Sequence, residues 1–308
     1  GTLLRGRAPH VVPQAAEASS AAPADSASAV AASVASPSAS AAPSASAPRP
    51  DEPKLDRPLR VVGMGWDLLA AGVVANDGAK PGSASVLKNQ GLEVHFSSAP
   101  AEGVENALAR GGADERGADV AILPLPRFVA SYDQLRALDP VIFMVVAWSE
   151  GREAVFVKGK TLEVPAAGDV KLRAGVGSVQ GFLGLFALDV SGVALDRVKL
   201  VAKPADAWDL AVQTKRASDG AQPSGTLLFG TSEASRLVPV VAIAQASLLA
   251  KSERAVVAFG SGWLEGERLV AADAAGAARK VATEQGAPEP LAVLAGLGEL
   301  GPASLGEN

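Results

Sequence analysis

The pattern of apolar and polar positions divides the chain at about residue 58. Residues 1–57 show neither helical nor strand periodicity. From residue 58 onward, short apolar runs alternate with segments whose apolar residues recur at helical spacing. Alternating strands and amphipathic helices are typical of an α/β protein with parallel strands. We therefore predict an α/β unit over 58–308, preceded by a segment without regular structure.

The first part of this unit, 58–148, is predicted to alternate strands with helices. The predicted strands are Leu59–Gly63, Leu92–Ser97, Asp119–Leu125 and Val141–Trp148. The predicted helices are Trp66–Val74, Val104–Arg110 and one that Pro126 opens. Because strand–helix–strand units place their strands side by side and parallel, we expect a parallel sheet here.

The same alternation restarts in 149–236 and is followed by a return segment, 237–308. Strands are predicted at Lys171–Val176, Val198–Ala202, Thr226–Phe229 and Val240–Ala244, and helices at Phe182–Val190 and Ala205–Thr214 and from near Ser252, Asp273 and Pro288. We predict one lobe from 58–148 and 237–308 and a second from 149–236. Crossings near Val146–Arg152 and Ser235–Val240 would join them, a layout that can close like a hinge around a ligand.

Composition accounts for the irregular N-terminal segment. Residues 14–50 are almost entirely Ala, Ser and Pro, which bury too little apolar area to offset chain entropy. We predict a disordered tether of 1–57 with an r.m.s. reach of roughly 40 Å. It could be a leash from a membrane anchor, a linker to another domain, or low-complexity drift. The chain begins at Gly1, so an upstream signal or anchor could have been removed.

Charge and rare residues exclude several classes of function. The net charge is −5 and there is no run of Lys or Arg, so nucleic acid is not expected as a partner. The chain has no cysteine and two histidines, of which His10 lies in the predicted tether and His95 inside a predicted strand. Neither a Ser/His/Asp triad nor a histidine-rich metal site is therefore expected. The longest apolar stretch, 237–250, is interrupted and too short to span a membrane. We expect a water-soluble chain that has no cofactor or metal and is not an enzyme.

The candidate ligand site is placed by a general property of α/β sheets, which bind ligands beyond the carboxyl ends of their strands. Small, hydroxyl-bearing and aromatic residues follow the predicted strands. The chain has four tryptophans. Two of them, Trp66 and Trp148, could form an indole wall of the ligand site or cap the core of their lobe. The predicted ligand-binding residues are Gly65, Trp66, Asp67, Pro124, Leu125, Pro126, Trp148, Ser149, Gly177, Ser178, Val179, Gln180, Thr231 and Ser232.

Charged residues near these loops allow either sign of ligand. Asp67 could cap a helix N-terminus or balance a cationic ligand, and the cap is the simpler interpretation. Arg127, Arg152 and Arg236 could each pair with an anion or lie solvated at the surface. The sequence therefore does not fix the charge of the ligand.

The glycines of the loop at 175–181 suggest an alternative function. Gly175-x-Gly177-x-x-x-Gly181 lies between a predicted strand and helix, like a dinucleotide-binding loop that is one residue too long. Lys203, not an acid, ends the next predicted strand. A nucleotide-dependent enzyme is therefore an alternative, which thermal stabilisation by NAD(H) or NADP(H) would reveal.

Five segments resemble one family of binding proteins. They are GADVAILPLPRF, FMVVAWSEGREAV, GVGSVQGFLGLFAL, LLFGTSEASRLVPVVAIA and ERLVAADAAGAARKVATEQGAPEPL. These segments resemble the substrate-binding proteins of the nitrate/sulfonate/taurine group of ABC importers. The resemblance implies a two-lobed type II periplasmic-binding-protein fold with hinge crossings and C-terminal helices. It also places the ligand between the lobes, at the loops named above.

The resemblance further implies a role. An extracytoplasmic protein of this kind captures a small solute, such as a sulfonate or nitrate, and delivers it to an ABC permease. We expect a monomer in the periplasm or cell envelope, held to the membrane only through a removed N-terminal anchor. A transport-inactive sensor or envelope subunit on the same fold is a further alternative. Family members usually continue beyond the position of Asn308, so the chain could be truncated.

Overall fold

The computed structural model describes residues 55–201, 207–214 and 225–308. The predicted tether up to residue 54, with His10, and Lys203 lie outside the described residues. The strands are β1 (Leu59–Gly63), β2 (Val94–Ser98), β3 (Val120–Pro124), β4 (Pro140–Ser149), β5 (Glu153–Val157), β6 (Val170–Arg173), β7 (Val198–Val201), β8 (Leu210–Thr214), β9 (Thr226–Gly230), β10 (Pro239–Gln245) and β11 (Leu300–Pro302). The helices are α1 (Ala70–Ala75), α2 (Val86–Asn89), α3 (Ala101–Arg110), α4 (Leu125–Leu135), α5 (Val179–Val190), α6 (Ala246–Lys251), α7 (Glu253–Ala272), α8 (Ala274–Ala282) and α9 (Pro290–Leu297).

The first sheet has the strand order β11-β4-β10-β3-β1-β2. β1 is parallel to both β2 and β3, as predicted. The return strand β10 enters between β3 and β4 and is antiparallel to both. The predicted strands of 58–148, β1 to β4, therefore all run in the same direction, as expected, and the antiparallel strands β10 and β11 come from the return segment. An apolar run shows that a strand is buried but carries no information on its direction.

The second sheet has the order β7-β6-β8-β5-β9. β8 occupies Leu210–Thr214, where the sequence pattern predicted the end of a helix, so that prediction is wrong. Leu210, Ala211 and Val212 are all buried, and β8 pairs with β6 on one side and β5 on the other. A continuous apolar run of this length suits a central strand as well as a helix, and tertiary pairing decides between them. β5, which was not predicted, pairs with β8 and β9.

The predicted C-terminal helices are confirmed. α7, α8 and α9 begin at Glu253, Ala274 and Pro290. Asp273 caps α8, because its carboxylate accepts a hydrogen bond from the backbone N–H of Gly276 at 2.8 Å. α7 lies against α1 and carries Phe259 and Trp263 into the core of the first sheet. In the part of the chain that the structure describes, no helix is both long and apolar enough to cross a bilayer.

Two crossings join the sheets. The first, 150–152, links β4 to β5, and the second, 231–238, links β9 to β10. The first sheet takes its strands from 59–149, 239–245 and 300–302, and the second from 153–230. The lobe boundaries after residues 148 and 236 stay a prediction. The crossings bring the carboxyl ends of β4 and β9 together.

Candidate ligand cleft

A cavity of about 300 Å³, here called the cleft cavity, lies between the two sheets. One wall is the first turns of α4, which follows β3 directly and contributes Leu125, Pro126, Val129 and Ala130. The opposite wall is the loop after β6 and the start of α5, with Gly175, Gly177, Ser178, Gly181, Phe182 and Leu185. The structure thus brings together four of the predicted ligand-binding residues, which are Leu125, Pro126, Gly177 and Ser178.

Gly177 allows the two walls to approach closely. Its φ of +66° lies in the left-handed region that favours glycine. A Cβ at this position would lie 2.7 Å from the Cβ of Ala130 on α4. A larger residue would therefore force the loop and α4 apart. The glycine-marked loop serves the contact between the two sheets.

Ser178 is the N-cap of α5. Its hydroxyl accepts a hydrogen bond from the backbone N–H of Gly181 at 2.9 Å and donates to the carbonyl of Gly175 at 2.7 Å. These bonds close the 175–181 loop on itself. Val179 packs into the core of the second sheet, while Gln180 is half-buried in the first turn.

The cleft cavity has uncharged walls, because none of the described residues that line it is charged. Arg127, on the adjoining turn of α4, donates from Nε and Nη2 to the carboxylate of Glu105 at 2.6 and 2.9 Å. Arg127 is therefore neither a solvated arginine nor an uncompensated cation for a ligand, because Glu105 on α3 balances its charge.

Asp67, in the turn after β1, forms an ion pair with Arg152 in the first crossing. Oδ2 of Asp67 accepts a short hydrogen bond from Nη2 of Arg152, and Nε of Arg152 lies 3.9 Å from Glu299. Oδ1 of Asp67 accepts from the backbone N–H of Leu68 at 3.0 Å. The N-cap position of α1 is Leu69, so the N-cap interpretation of Asp67 is wrong. The turn at 66–69 delays the start of the helix by one turn.

Ser149, Glu153 and Thr231 form a buried group that we call the hinge cluster. The Ser149 hydroxyl donates to Oε2 of Glu153 at 2.5 Å, and its oxygen lies 3.2 Å from Oγ1 of Thr231. Oγ1 of Thr231 accepts from the backbone N–H of Gly151 at 2.8 Å. Both hydroxyls, predicted to bind ligand, thus join the two crossings to each other.

Burial raises the pKa of Glu153 in the hinge cluster, against the opposing effects of the Ser149 hydrogen bond and the positive charge of Arg152. The rise reflects the cost of holding a negative charge away from water. Ser232, the neighbour of Thr231, is exposed and donates to Glu233 at 2.9 Å.

The two predicted tryptophans occupy different environments. Trp66 is 8% exposed and packs into the core of the first sheet, which agrees with the core-cap interpretation. Trp148 lies on β4 opposite Pro239 and Gly301. Its Nε1 is buried and has no hydrogen-bond partner among the described residues. Neither ring lines the cleft cavity.

The remaining predicted positions shape the backbone. Pro124 ends β3 and is the N-cap residue of α4. A Cβ at Gly65 would lie 2.5 Å from the Asp67 carboxylate, so glycine permits this turn. Arg236 lies in the second crossing with a φ of +66°. In the described ranges, no group of three or more His, Asp or Glu residues is arranged to hold a metal ion.

Sequence reasoning missed two features of this region. Glu153 was not singled out, although a lone acid opening the apolar run EAVFV indicates a buried carboxyl that must find a partner. Phe182 and Leu185, three residues apart on α5, were assigned to a helix but not to the cleft wall. Helical spacing shows that the two side chains lie on the same face of α5. Only the structure shows that this face lines the cleft cavity opposite α4.

No family model matches the chain, and no curated protein matches it. Solved structures do. The periplasmic aliphatic sulphonate-binding protein SsuA of Escherichia coli superposes with a TM-score of 0.55 at 16% identity, over 81% of this chain and 82% of that one. SsuA of Xanthomonas axonopodis pv. citri, bound to MOPS, gives 0.54 at 18% identity, over 84% and 90%. The chain has the periplasmic-binding-protein fold.

A nitrate-binding protein has the same fold. NrtA of Synechocystis PCC 6803 superposes with a TM-score of 0.54 at 11% identity, over 77% of this chain and 68% of that one. The predicted two-lobed periplasmic-binding-protein fold is thus confirmed. The similar structures include sulfonate- and nitrate-binding proteins, the group that the sequence segments resemble.

Proposed function

We propose that this chain is an extracytoplasmic solute-binding protein that closes two lobes over a small organic anion for an ABC importer. The observation that carries the proposal is the cleft cavity, formed at the carboxyl ends of β3 and β6 by one helix from each sheet. Ligands of open α/β sheets bind at such ends. The hinge cluster joins the two crossings, and a closing motion of the lobes would pivot at these crossings.

The lining of the cleft cavity favours an organic ligand over an inorganic one. Its walls are aliphatic and aromatic apart from backbone groups and Ser178. A nitrate ion has no apolar surface to bury there, whereas an alkanesulfonate has a chain for the apolar walls and a single charge for the N-terminal end of α5. The sulfonate-binding proteins of the same fold support this choice.

The partners follow from the fold and the sequence resemblance. We propose a small solute and an ABC permease as partners, a monomeric state, and a periplasmic or envelope location with the 1–57 segment as a tether. The acidic net charge of −5 supports the absence of nucleic acid from this set. The predicted ligand-binding residues that line the cleft cavity are the proposed contacts. Ser149 and Thr231 are proposed to act through the hinge.

Isothermal titration calorimetry with a series of alkanesulfonates tests the ligand. Each added methylene that enters the apolar walls should tighten binding about four-fold, from about 0.8 kcal/mol per methylene. Nitrate, which has no methylene, should not bind measurably. A flat series, or nitrate binding tighter than every alkanesulfonate, would reject the organic-anion proposal.

A matched pair of variants locates the site. Val129 is 64% exposed and lines the cleft cavity, whereas Val190, at 71%, lies at the end of α5 away from it. Val129→Asp should weaken alkanesulfonate binding by at least about ten-fold, because it places a carboxylate beside an apolar anion-binding site. Val190→Asp should leave the affinity unchanged. Equal effects of the two substitutions would place the ligand elsewhere.

A further inference from the structure

Charged side chains gather at the first crossing, 150–152, outside the cleft cavity. Arg152 forms an ion pair with Asp67 from the turn after β1, and its Nε lies 3.9 Å from Glu299, which precedes β11. The next residue, Glu153, opens β5, is only 3% exposed and also feels the positive charge of Arg152. Carboxylates from three parts of the chain therefore act on one guanidinium.

Arg152 is not fully hydrogen-bonded in this arrangement. Its Nη2 donates to Oδ2 of Asp67, whereas its buried Nε has no hydrogen-bond acceptor among the described residues. A buried donor without an acceptor is unfavourable. The pair with Asp67 therefore holds Arg152 less firmly than a pair with two parallel hydrogen bonds would.

The Glu153 carboxyl belongs to the contacts that join the two sheets. Its Oε2 accepts a hydrogen bond from Ser149 at the end of β4, at 2.5 Å, while the Glu153 backbone N–H donates to Oγ1 of Thr231 at 3.2 Å. Burial and the negative charge of Glu299 raise the pKa of Glu153, whereas the Ser149 hydrogen bond and the charge of Arg152 lower it. The hinge cluster thus contains a carboxyl whose charge changes without a change in its neighbours.

The charges that act on Glu153 come from both sides of the crossing. Arg152 favours the ionised carboxylate and Glu299 favours the proton. Asp67 acts through Arg152, because the two are paired. The other charged residues described at the two crossings are Glu150, Glu233 and Arg236.

We propose that proton binding at Glu153 switches the first crossing between two arrangements of Arg152. With the proton bound, Arg152 stays paired with Asp67 and the crossing keeps the arrangement described here. When the proton leaves for the solvent, the Glu153 carboxylate competes with Asp67 for Arg152, and the hinge cluster rearranges so that the buried charge gains this counter-charge. The pH therefore sets the distance between the lobes. The switch rests on the hinge of the proposed function and does not depend on the identity of the ligand.

Pulsed electron spin resonance on the ligand-free full chain tests the switch. Spin labels at Asp133→Cys on α4 and Asp189→Cys on α5, both exposed sites, report the distance between the lobes. The distance distribution of the labelled chain should shift between pH about 4, close to the ordinary pKa of glutamate, and pH about 8. In Glu153→Gln, which keeps an acceptor for the Ser149 hydroxyl but cannot ionise, the low-pH distribution should persist at every pH. The matched control Glu163→Gln, at an exposed site, should shift like the parent chain. No shift in the parent chain, or an equal shift in Glu153→Gln, would overturn the proposal.

A second variant tests the exchange of Arg152. Asp67→Asn removes the competing carboxylate, so Arg152 becomes available to Glu153 and the midpoint of the shift should fall by about one pH unit. A purely structural role of Asp67 would lower the thermal unfolding temperature at every pH without moving this midpoint. An unchanged or higher midpoint would contradict the exchange.

The outcome also separates the switch from the proposed function. Closure of the labelled chain by a long-chain alkanesulfonate, without any response to pH, would reject the switch and leave the proposed function intact. A response to pH that Glu153→Gln abolishes, without closure by any alkanesulfonate, would support the switch and count against the proposed ligand.

Discussion

The cleft cavity and the hinge cluster contain six of the fourteen residues predicted to bind ligand, four in the first region and two in the second. The cleft cavity is apolar, and its walls approach through Gly177 and Ala130. The hinge cluster is polar, buried and hydrogen-bonded within itself. Hydroxyl and charged residues at strand ends thus serve mainly the joint between the sheets. A ligand should depend on the first region for contacts and on the second for closure.

The largest effect on stability is expected from the hinge cluster. Thr231 is fully buried and its Oγ1 accepts hydrogen bonds from the backbone N–H groups of Gly151 and Glu153. Thr231→Val keeps the shape and leaves those groups without an acceptor, so the free energy of unfolding should fall by about 2–3 kcal/mol. Urea unfolding measures it. Thr161→Val, at an exposed site, should change it by less than about 0.5 kcal/mol. Similar values for both would show that Thr231 does not join the crossings.

A smaller effect is expected at the ion pair beside the first crossing. Asp67 and Arg152 have side chains only 17% and 18% exposed. Asp67→Asn should lower the free energy of unfolding by about 1–2 kcal/mol, because Arg152 loses a partly buried counter-charge. The control is Glu265→Gln, whose partner Arg268 lies in an exposed i,i+3 pair, and it should have almost no effect. A larger loss in the exposed pair would contradict this ranking.

The hinge cluster should also respond to pH. Burial raises the pKa of Glu153 in the folded state, so the folded protein holds its proton more tightly than the unfolded chain. The stabilisation is fully present below the ordinary pKa of glutamate and is lost as pH rises through the raised pKa. Glu153→Gln should flatten this part of the stability profile, measured by urea unfolding at a series of pH values. Glu163→Gln, at an exposed site, should leave the profile as it is in the wild type. An unchanged profile in Glu153→Gln would contradict the assignment.

Local patterns predicted the elements of the first sheet well. β1, α3, α4 and β4 are confirmed close to the expected bounds, since each has a clear apolar period and a proline or glycine at one end. β8 was mistaken for a helix because its period was ambiguous and its partners lie far away in sequence. Pairing across a sheet is a tertiary property that a single apolar run does not encode.

The location of the candidate site was predicted better than the roles of its residues. The strand-end rule found Leu125, Pro126, Gly177 and Ser178, which line the cleft cavity. Roles depended on partners that no local pattern reveals, such as Glu105 for Arg127. Ser178 is the N-cap residue of α5, a position at which serine is generally favoured. Residue types in the sequence therefore located the cleft. Only the contacts in the structure distinguished the residues of its walls from those of the hinge cluster.

The most direct test of closure measures the distance between α4 and α5. The chain has no native cysteine, so Asp133→Cys and Asp189→Cys, both exposed, can carry a pair of spin labels. Pulsed electron spin resonance should give a longer or broader distance distribution without ligand and a shorter, narrower one with a saturating long-chain alkanesulfonate. An identical distribution with and without a bound alkanesulfonate would contradict capture by closing lobes.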